Sequence, residues 1–334
     1  MRILIISDAW HPQVNGVVVT LDMLVQELRM LGHIVDVIGP DRFRTVAMPS
    51  YRSIKIAVAP SARLVPMIEA FQPEALHIAT EGPLGWAARR WAIRSGRSFT
   101  SSFHTRFPEY LHARARVPLS LSYAFLRGFH GRAQGTMVAT GSLRRELTGR
   151  GFRNLLPWSR GVDLRQFTPD DREDWEWPRP IFLYVGRVAV EKNIEQFLAL
   201  DLPGTKVVVG EGPQRAALEA AYPAAKFLGQ RRGAALTRAY AGADVFVFPS
   251  RTDTFGLVLL ESLACGTPIA AMPVTGPADV LAGAAPGVGQ LDSDLRAAAL
   301  RALDADRGAC RAHAERYSWR ACAEMFFDNL ARAT

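Results

Sequence analysis

The sequence is poor in cysteine and lysine and has no long apolar run. Its 334 residues include three cysteines, Cys265, Cys310 and Cys322, too few for a disulfide framework and without Cys-x-x-Cys spacing for a metal. The longest stretch without a charged residue, 262–278, is interrupted by glycines and prolines, so no membrane-spanning helix is predicted. The amino terminus enters a strand pattern without signal-peptide features, which predicts a reduced, cytosolic protein.

The composition is that of a folded globular protein. Apolar residues make up 49% and charged residues 22% of the chain, which excludes a disordered or collagen-like polymer. A chain of this length predicts two domains. Short apolar strands alternate with helical patterns throughout, which predicts α/β domains with parallel sheets.

One polar stretch divides the predicted strands into two series. The polar stretch 168–178 contains tryptophan and proline and is predicted to link two doubly wound domains, 1–165 and 166–317, that face one another across a ligand cleft. Strands are predicted at Arg2–Ser7, His33–Ile38, Ile54–Val58, Ala75–Ile78, Ser98–Phe103, Thr136–Ala139, Ile181–Val185, Lys206–Val209, Ala225–Leu228, Val245–Phe248 and Pro268–Ala271. Helices are predicted at 17–31, 191–200, 213–221, 233–240 and 256–265, with a helical tail from Ser293.

Positive charge is concentrated in the first half. Residues 1–163 hold 21 basic and 11 acidic side chains, whereas the remainder holds 19 and 21. This asymmetry indicates an anionic partner such as a nucleic acid, a membrane surface or a charged substrate. However, 36 of the 40 basic residues are arginine, and a compositional preference with solvated arginines explains the same numbers.

Two loops that follow predicted strands carry features of an anion site. Gly16 stands at the start of the first helix, where its backbone could approach an anion, although a helix-capping glycine explains it equally. Arg187 and Lys192 lie five positions apart beside Gly186, where a forked guanidinium and an ammonium could hold a diphosphate. The alternative is a surface arginine and a solvated Glu191–Lys192 pair.

A third loop carries an acidic residue and, eight positions later, a glutamate. Asp253 precedes a predicted apolar helix, and Glu261 lies within it, where an unpaired buried carboxylate would be costly. The amides of Phe255, Gly256 and Leu257 would point at a ligand, and Glu261 could accept hydrogen bonds from a vicinal diol. A capping Asp253 with a solvated Glu261 is the alternative.

His104 follows a strand of the first domain in the sequence Ser101–Leu111. Its position at a strand end indicates a ligand role, and a structural histidine is the alternative.

Together these elements resemble the family-four retaining glycosyltransferases, which have the GT-B fold. The pair Arg187…Lys192, the acidic-x7-Glu element and the Gly16 loop carry the resemblance, as do the phrases 244–250 and 261–268. The segments 75–83 and 103–110 narrow it to enzymes that glycosylate membrane lipids: glycolipid synthases that use diacylglycerol, and α-mannosyltransferases of lipid-linked glycans.

The resemblance implies a role for each residue. Arg187, Lys192 and Gly16 would bind the donor diphosphate, and the backbone of Phe255, Gly256, Leu257 and Val258 would complete the phosphate cradle. Glu261 would hold the ribose hydroxyls, Asp253 the sugar hydroxyls, and His104 would line the sugar site. The family usually has Glu where this chain has Asp253. The tail from about 318 to 334 would return to the first domain.

The resemblance also implies the chemistry. Cations and helix amides would stabilise the departing phosphate, and because Arg187 and Lys192 would take the place of a divalent ion we expect no metal and no cofactor. The suggested mechanism is a same-face internal return, in which the leaving phosphate accepts the acceptor's proton. No side chain is identified as a covalent nucleophile.

Three segments of the first domain contain basic residues among aromatic or aliphatic ones. This pattern suits peripheral attachment of the protein to an anionic bilayer, which we expect to be the cytoplasmic face of the inner membrane. Amphipathic helices packed on their own sheet are the alternative. The segments comprise Arg114, Arg116, Arg127 and Arg132 around Leu119, Leu121, Tyr123, Phe125, Leu126 and Phe129; Arg42, Arg44, Arg52, Lys55 and Arg63; and Trp86, Arg89, Arg90, Trp91 and Arg94.

The resulting expectation is a metal-independent, retaining hexosyltransferase that moves a sugar from a nucleotide-diphosphate sugar, preferably a UDP-sugar, to a membrane lipid such as diacylglycerol. A GDP-mannose-dependent α-mannosyltransferase with a polyprenyl- or phosphatidylinositol-linked acceptor is the first alternative. A sugar-nucleotide epimerase of similar fold and a basic nucleic-acid binder are further alternatives, although no nucleic-acid-binding module is recognisable. The sequence predicts no oligomeric state.

Overall fold

The computed structural model describes residues 1–13, 15–48, 51–251 and 255–330, and the chain forms two compact units. Unit 1 comprises Met1–Arg160 and the carboxyl-terminal segment that begins at Trp319, and unit 2 comprises Gly161–Ser318. The first boundary therefore falls before the position predicted from sequence, 165/166, and the second falls next to the predicted one at 317/318.

Unit 1 is built on a six-stranded parallel sheet. The strand order is β2-β1-β5-β6-β7-β8, and β3 and β4 form a separate antiparallel pair. The strands are β1 (Arg2–Ile6), β2 (Ile34–Ile38), β3 (Thr45–Met48), β4 (Tyr51–Ala57), β5 (Ala75–Ile78), β6 (Thr100–Phe103), β7 (Gly135–Val138) and β8 (Leu155–Pro157). The run Ile3, Leu4, Ile5 and Ile6 is fully buried, as expected for a strand covered on both faces.

In the described part of unit 1, six helices connect these strands. They are α1 (Gly16–Met30), α2 (Ser61–Phe71), α3 (Pro83–Arg94), α4 (Phe107–Ala115), α5 (Leu119–His130) and α6 (Gly141–Gly149). Helix α1 buries Leu21, Leu24 and Leu28 at the spacing of one helix face.

One predicted strand was assigned to the wrong sheet. The segment predicted at Ile54–Val58 belongs to β4, which pairs antiparallel with β3 outside the main sheet. The short apolar run indicated a strand, but a single strand's pattern does not specify its pairing partner.

Unit 2 repeats the parallel architecture. Its sheet has the order β11-β10-β9-β12-β13-β14, with every neighbouring pair parallel. The strands are β9 (Ile181–Val185), β10 (Thr205–Val209), β11 (Lys226–Phe227), β12 (Val245–Phe248), β13 (Ile269–Ala271) and β14 (Gly289–Leu291). The helices are α7 (Ile194–Leu198), α8 (Arg215–Ala221), α9 (Gly233–Gly242), α10 (Leu257–Ala264), α11 (Thr275–Val280), α12 (Leu295–Arg301) and α13 (Arg307–Ala314).

The last helix, α14 (Trp319–Asp328), belongs to unit 1. The indole Nε1 of the buried Trp158 donates to the carbonyl oxygen of Cys322 at 3.2 Å, and the rings of Trp158 and Phe326 lie 5.0 Å apart. This helix therefore fills part of the unit-1 core rather than extending unit 2.

Candidate active site

Arg187 and Lys192 lie in the loop that follows β9, and Glu261 lies on the helix that follows β12. These strands are parallel neighbours, so both loops leave the sheet at its carboxyl edge, where open α/β sheets bind ligands. The loops are joined directly, because Nδ2 of Asn193 donates to the carbonyl oxygen of Pro249 at 3.2 Å. Arg187 and Lys192 are thereby brought to the same edge as the start of the helix that carries Glu261.

Close backbone packing fixes the loop that carries Arg187. Gly186 has a φ of +152°, and a Cβ atom on Gly210 would overlap the carbonyl oxygen of Gly186. The hydroxyl of the buried Tyr184 donates to the carbonyl oxygen of Arg187 at 2.9 Å. The backbone of Arg187 is therefore anchored, whereas its side chain is partly exposed at the edge of the sheet.

Lys192 lies in a short turn and not in the helix predicted at 191–200. Val190–Lys192 forms a single 3₁₀ turn, Asn193 adopts a left-handed φ of +53°, and α7 begins only at the next residue. Such a backbone reversal is tolerated by asparagine better than by most residues. The same asparagine thus turns the chain after Lys192 and ties this loop to its neighbour, a role that sequence analysis missed.

The loop after β12 leads into α10, whose amino end provides backbone donors. Gly256 precedes the helix with a left-handed φ of +87°, and Phe255, the residue before it, is buried. The first amide groups of a helix have no partner within the helix, so those of Leu257 and Val258 suit an anion. Asp253, the predicted sugar-binding carboxylate, lies outside the described residues.

Glu261 lies on the second turn of α10 and is partly buried. Its Oε2 accepts a hydrogen bond of 2.9 Å from the hydroxyl of the buried Tyr240 on α9. The alternative of a solvated Glu261 is therefore wrong, and so is the premise that its carboxylate is unpaired. A carboxylate has about four acceptor sites, so the bond from Tyr240 leaves capacity for a diol.

Burial raises the pKa of Glu261 to about 7, while the hydrogen bond from Tyr240 acts in the opposite direction. The carboxylate therefore titrates near neutrality, and its charge at the edge of the sheet depends on pH. The partner was missed because nothing in the sequence pattern links Tyr240 to a residue 21 positions away.

Gly16 in unit 1 is the first residue of α1, but it is not the helix cap. Oδ1 of Asn15 accepts hydrogen bonds from the amides of Val17 and Val18 at 3.0 and 3.1 Å. The capping-glycine alternative is thus wrong, and the cap is the asparagine before it, as the residue preferences of helix starts allow. Gly16 itself lies at the carboxyl edge of the unit-1 sheet, after β1.

His104 follows β6 at the same edge of the unit-1 sheet. Nη2 of Arg160 lies 3.4 Å from its Nδ1, and because a guanidinium only donates, the ring proton is on Nε2. Burial and the nearby charge of Arg160 lower the pKa of His104 well below 6.5. His104 is therefore a neutral N–H donor. Arg160, itself buried beside Trp158, carries no sequence signal among so many arginines.

The segment with interleaved basic and apolar residues in unit 1 has two different faces. Tyr123, Leu126 and Phe129 are buried in the core, which agrees with a helix packed on its own sheet. Leu121 and Phe125, by contrast, are 64% and 50% exposed. The amphipathic-helix alternative thus accounts for one face of α5 and leaves the other face apolar and open.

The open face continues into a groove between α4 and α5. A cavity of about 300 Å³ is lined by Phe107, Leu111, Val117, Leu121, Ser122 and Phe125. The Trp86 ring lies 5.2 Å from Phe125, and the Arg89 guanidinium lies over that indole. Arg116, at the end of α4, is exposed. We call this surface the α4–α5 groove.

Within residues 1–13, 15–48, 51–251 and 255–330, no cluster of three or more metal-type side chains is found. Over the same described part, none of the helices has the length and apolar character needed to cross a bilayer.

Comparison with known proteins identifies related families for both units. Residues 14–166 match the family model described as Glycosyltransferase Family 4, and residues 179–305 match the model described as Glycosyl transferases group 1. The chain is 32% identical to a GDP-mannose-dependent alpha-mannosyltransferase of Mycolicibacterium smegmatis, over 84% of this chain and 82% of the relative. It is 26% identical to the alpha-monoglucosyldiacylglycerol synthase of Streptococcus pneumoniae, over 81% and 71%.

Solved structures of low sequence identity share the fold. A sucrose-phosphate synthase from Thermosynechococcus elongatus superposes with a TM-score of 0.76 at 22% identity, covering 98% of this chain and 97% of that one. Anabaena HepE in complex with UDP and glucose superposes with a TM-score of 0.70 at 12% identity, covering 98% of each chain. The predicted GT-B class, with two parallel-sheet Rossmann-like units, is confirmed.

Proposed function

The chain belongs to the family-4 glycosyltransferases, and on that premise we propose that it transfers mannose from GDP-mannose to a lipid acceptor, with retention and without a metal ion. The observation that carries the proposal is the joined pair of loops in unit 2. They bring Arg187, Lys192 and the amino end of α10 to one edge of the sheet.

The relatives support the choice of donor. Proteins named as GDP-mannose-dependent mannosyltransferases occur in Mycolicibacterium smegmatis, Mycobacterium tuberculosis and Corynebacterium glutamicum, at 28–32% identity to this chain. A UDP-sugar, which the sequence analysis favoured, remains the rival donor, and the UDP complex of a protein with the same fold supports it.

The proposed chemistry rests on the charge that develops on the leaving diphosphate. As the bond between the sugar and the diphosphate breaks, the negative charge on the diphosphate grows and Arg187 and Lys192 attract it more strongly. They therefore stabilise the transition state more than the bound donor. The amides at the start of α10 add fixed dipoles on the same side. This arrangement supplies the positive charge that a divalent ion would otherwise contribute.

The remaining residues are assigned to the donor's hydroxyl groups. Glu261 accepts hydrogen bonds from the ribose diol, which an ionised carboxylate does well. Asp253 holds sugar hydroxyls, as predicted from its position in the acidic-x7-Glu element. The roles of Gly16 and His104 in unit 1 stay predictions, and for His104 the neutral Nε2–H is the group that would donate to a hydroxyl.

Retention follows from attack on the face from which the diphosphate departs. In the proposed internal return, the oxygen of the acceptor hydroxyl bonds to the anomeric carbon as the bond to the diphosphate breaks. The hydroxyl proton passes to the departing phosphate oxygen, so no protein side chain has to form a covalent bond.

The acceptor is proposed to be a lipid that unit 1 meets at an anionic membrane surface on the cytoplasmic face. The α4–α5 groove offers exposed apolar side chains, and the exposed Arg116 stands beside it. Apolar contact combined with basic side chains is the pattern by which proteins bind anionic bilayers peripherally.

The test is a donor and acceptor panel with mass-spectrometric product identification. Wild-type protein is incubated in EDTA with GDP-mannose, UDP-glucose or UDP-galactose. Each donor is combined with anionic vesicles that contain phosphatidylinositol, diacylglycerol or polyprenyl phosphate. We expect a mannosylated lipid with an α linkage by NMR, formed equally well in EDTA and in magnesium.

Each part of the proposal has its own contrary result. Transfer only from a UDP-sugar overturns the donor assignment, and loss of activity in EDTA overturns metal independence. A β-linked product overturns retention. Conversion of the donor into an epimer without any acceptor would identify a sugar-nucleotide epimerase instead.

A further inference from the structure

Two carboxylates lie at the carboxyl edge of the unit-1 sheet. Asp8 follows β1 and Glu81 follows β5, and these strands are parallel neighbours whose last residues, Ile6 and Ile78, lie opposite one another. The negative charge of Glu81 is one of the causes that raise the pKa of Asp8, so the two side chains are near neighbours. The two carboxylates nevertheless differ in what they bind.

The carboxylate of Asp8 accepts hydrogen bonds from groups of the protein. Its Oδ1 accepts from the amide of Leu84 at 2.9 Å, and its Oδ2 accepts from the amide of Gly85 at 3.2 Å and from the hydroxyl of Thr80 at 3.0 Å. Asp8 therefore caps the start of α3 from a distant loop. A Cβ atom on Gly82 would overlap its carboxyl group, so the loop that carries Glu81 is fixed against Asp8.

Glu81 is held by a buried chain of polar groups. Its Oε1 accepts a hydrogen bond of 3.0 Å from Nε2 of His130, which is fully buried at the end of α5. Nδ1 of His130 lies 2.9 Å from the hydroxyl of Ser101, which lies 3.1 Å from the hydroxyl of Thr136. Because a carboxylate only accepts, the His130 proton on this side is on Nε2.

This chain of hydrogen bonds fixes the orientation of the glutamate side chain. His130, Ser101 and Thr136 are all fully buried, and burying polar groups is costly unless each is hydrogen-bonded. The Glu81 side chain remains 20% exposed. Fixing one carboxylate oxygen from below while leaving the group in reach of solvent is how a binding residue is pre-organised.

We propose that Glu81 binds a hydroxyl of the acceptor headgroup and that His130 is its positioning residue. The inference rests on the proposed function, since it concerns the acceptor of that reaction. Glu81 lies where parallel sheets bind ligands, at the strand ends. Asp8 fixes the loop that carries Glu81, and the buried His130 fixes Oε1 of Glu81.

The Glu81 carboxylate limits the class of acceptor that can bind. An ionised carboxylate accepts hydrogen bonds from hydroxyl groups and repels phosphoryl groups. The acceptor is therefore a lipid with a polyhydroxylated headgroup, such as a glycerol, an inositol or a sugar, and its reactive end is a hydroxyl. A polyprenyl phosphate, whose reactive end is a phosphate, does not fit Glu81.

The test compares three variants. Glu81→Gln keeps an oxygen that can accept from His130 but removes the charge, so the fold is expected to survive. Ser101→Ala removes the hydroxyl beneath His130 and leaves Glu81 itself intact. Glu74→Gln is the matched control, because Glu74 lies just before the amino end of the same strand, where it accepts from the backbone amide of Arg2.

Initial rates are measured against acceptor and against donor, and GDP affinity is measured by calorimetry. Acceptors are vesicles with phosphatidylinositol, diacylglycerol or polyprenyl phosphate, and the soluble polyols glycerol, myo-inositol and methyl α-glucoside. For Glu81→Gln we expect the acceptor KM to rise about tenfold or more, the loss of one hydrogen bond to a charged group. Donor KM and GDP affinity should stay within about twofold. Ser101→Ala should raise the acceptor KM less, and Glu74→Gln should change neither constant.

The outcomes separate this inference from the proposed function. An unchanged acceptor KM in Glu81→Gln, or a parallel rise in donor KM, overturns the role of Glu81 while lipid transfer stands. Use of polyprenyl phosphate without any polyol-bearing acceptor does the same. Glu81-dependent transfer to soluble polyols alone supports the inference and overturns the lipid acceptor. No transfer to any probe overturns both.

Discussion

Glu261 accepts a partly buried hydrogen bond and lies on the helix that begins at the carboxyl edge of the unit-2 sheet. Its carboxylate is bonded to Tyr240, and burial raises its pKa to about 7. A ribose diol donates to the ionised form, so ligand binding and deprotonation favour one another. With the proposed ribose role, we expect the charge state of this one residue to couple nucleotide binding to pH in the physiological range.

Nucleotide affinity should rise with pH through about 7. Below that pH the protonated Glu261 is a poorer acceptor, and above it the ionised carboxylate binds both hydroxyls. In Tyr240→Phe the midpoint should move to higher pH, because the hydrogen bond from Tyr240 lowers the pKa of Glu261. Calorimetric titration of GDP from pH 5.5 to 8.5 measures both effects, the range being set about that pKa.

Glu261→Ala supplies the control for this titration. It should bind GDP more weakly than wild type at pH 8 and should show no midpoint near 7. An affinity that is equal in the variant and the wild type, or a midpoint that survives in the variant, would remove Glu261 from the ribose role.

Lys192→Ala should lose transfer activity by about 10²–10³-fold, the usual loss when one preorganised charge-stabilising group is removed. The short turn that ends at Lys192 has no buried residue, so the fold should persist, as thermal unfolding would show. Lys226→Ala is the matched control in unit 2, since that ammonium lies over the Trp177 ring. A Lys192→Ala variant with near wild-type turnover contradicts the diphosphate assignment.

Residue types and spacing singled out Arg187, Lys192 and Glu261, which the structure places in the loop after β9 and on the helix after β12, and their ligand roles stay predictions. Tyr240 and Arg160 were not predictable in this way. Their contacts join residues 21 and 56 positions apart, and such pairs are created only when the sheet has formed. The pKa shifts of Glu261 and His104 depend on the same contacts and on burial.

At the scale of elements, the most apolar strands were predicted best. Ala75–Ile78, Ile181–Val185 and Val245–Phe248 occur with the predicted bounds, since each is a short continuous run in which every residue is buried. The β3–β4 pairing and the short α7 were not predicted. Strand pairing is a tertiary property, and the left-handed Asn193 divides a segment whose pattern reads as one helix.

The exposed face of α5 carries a prediction of its own. Leu121→Glu should weaken binding to anionic phosphatidylglycerol vesicles at least several-fold, because it places a like charge on an apolar contact surface. The fold should be unaffected, since Leu121 is 64% exposed. Sedimentation with vesicles measures the binding.

Met30→Glu is the control, because Met30 is 67% exposed at the end of α1, in the same unit. Equal vesicle binding by wild type and Leu121→Glu would contradict the membrane role of the α4–α5 groove. Equal losses in both variants would indicate a general effect of charge.

At the scale of the whole chain, two parallel-sheet units carry different charge and different loops. The net positive charge lies in 1–163, because acidic residues are fewer there, while the loops that resemble a diphosphate site belong to unit 2. Alternating strands and helices were enough to predict two α/β units. The return of α14 to unit 1 was predicted only through the family resemblance, because its amphipathic pattern does not specify which core it joins.

The account depends most on a diphosphate held by Arg187 and Lys192, and a crystal structure with GDP bound tests that directly. We predict the diphosphate oxygens at hydrogen-bond distance, about 3 Å, from both side chains and from the amides at the start of α10. A nucleotide bound elsewhere, with the guanidinium and the ammonium directed into solvent, would contradict the account.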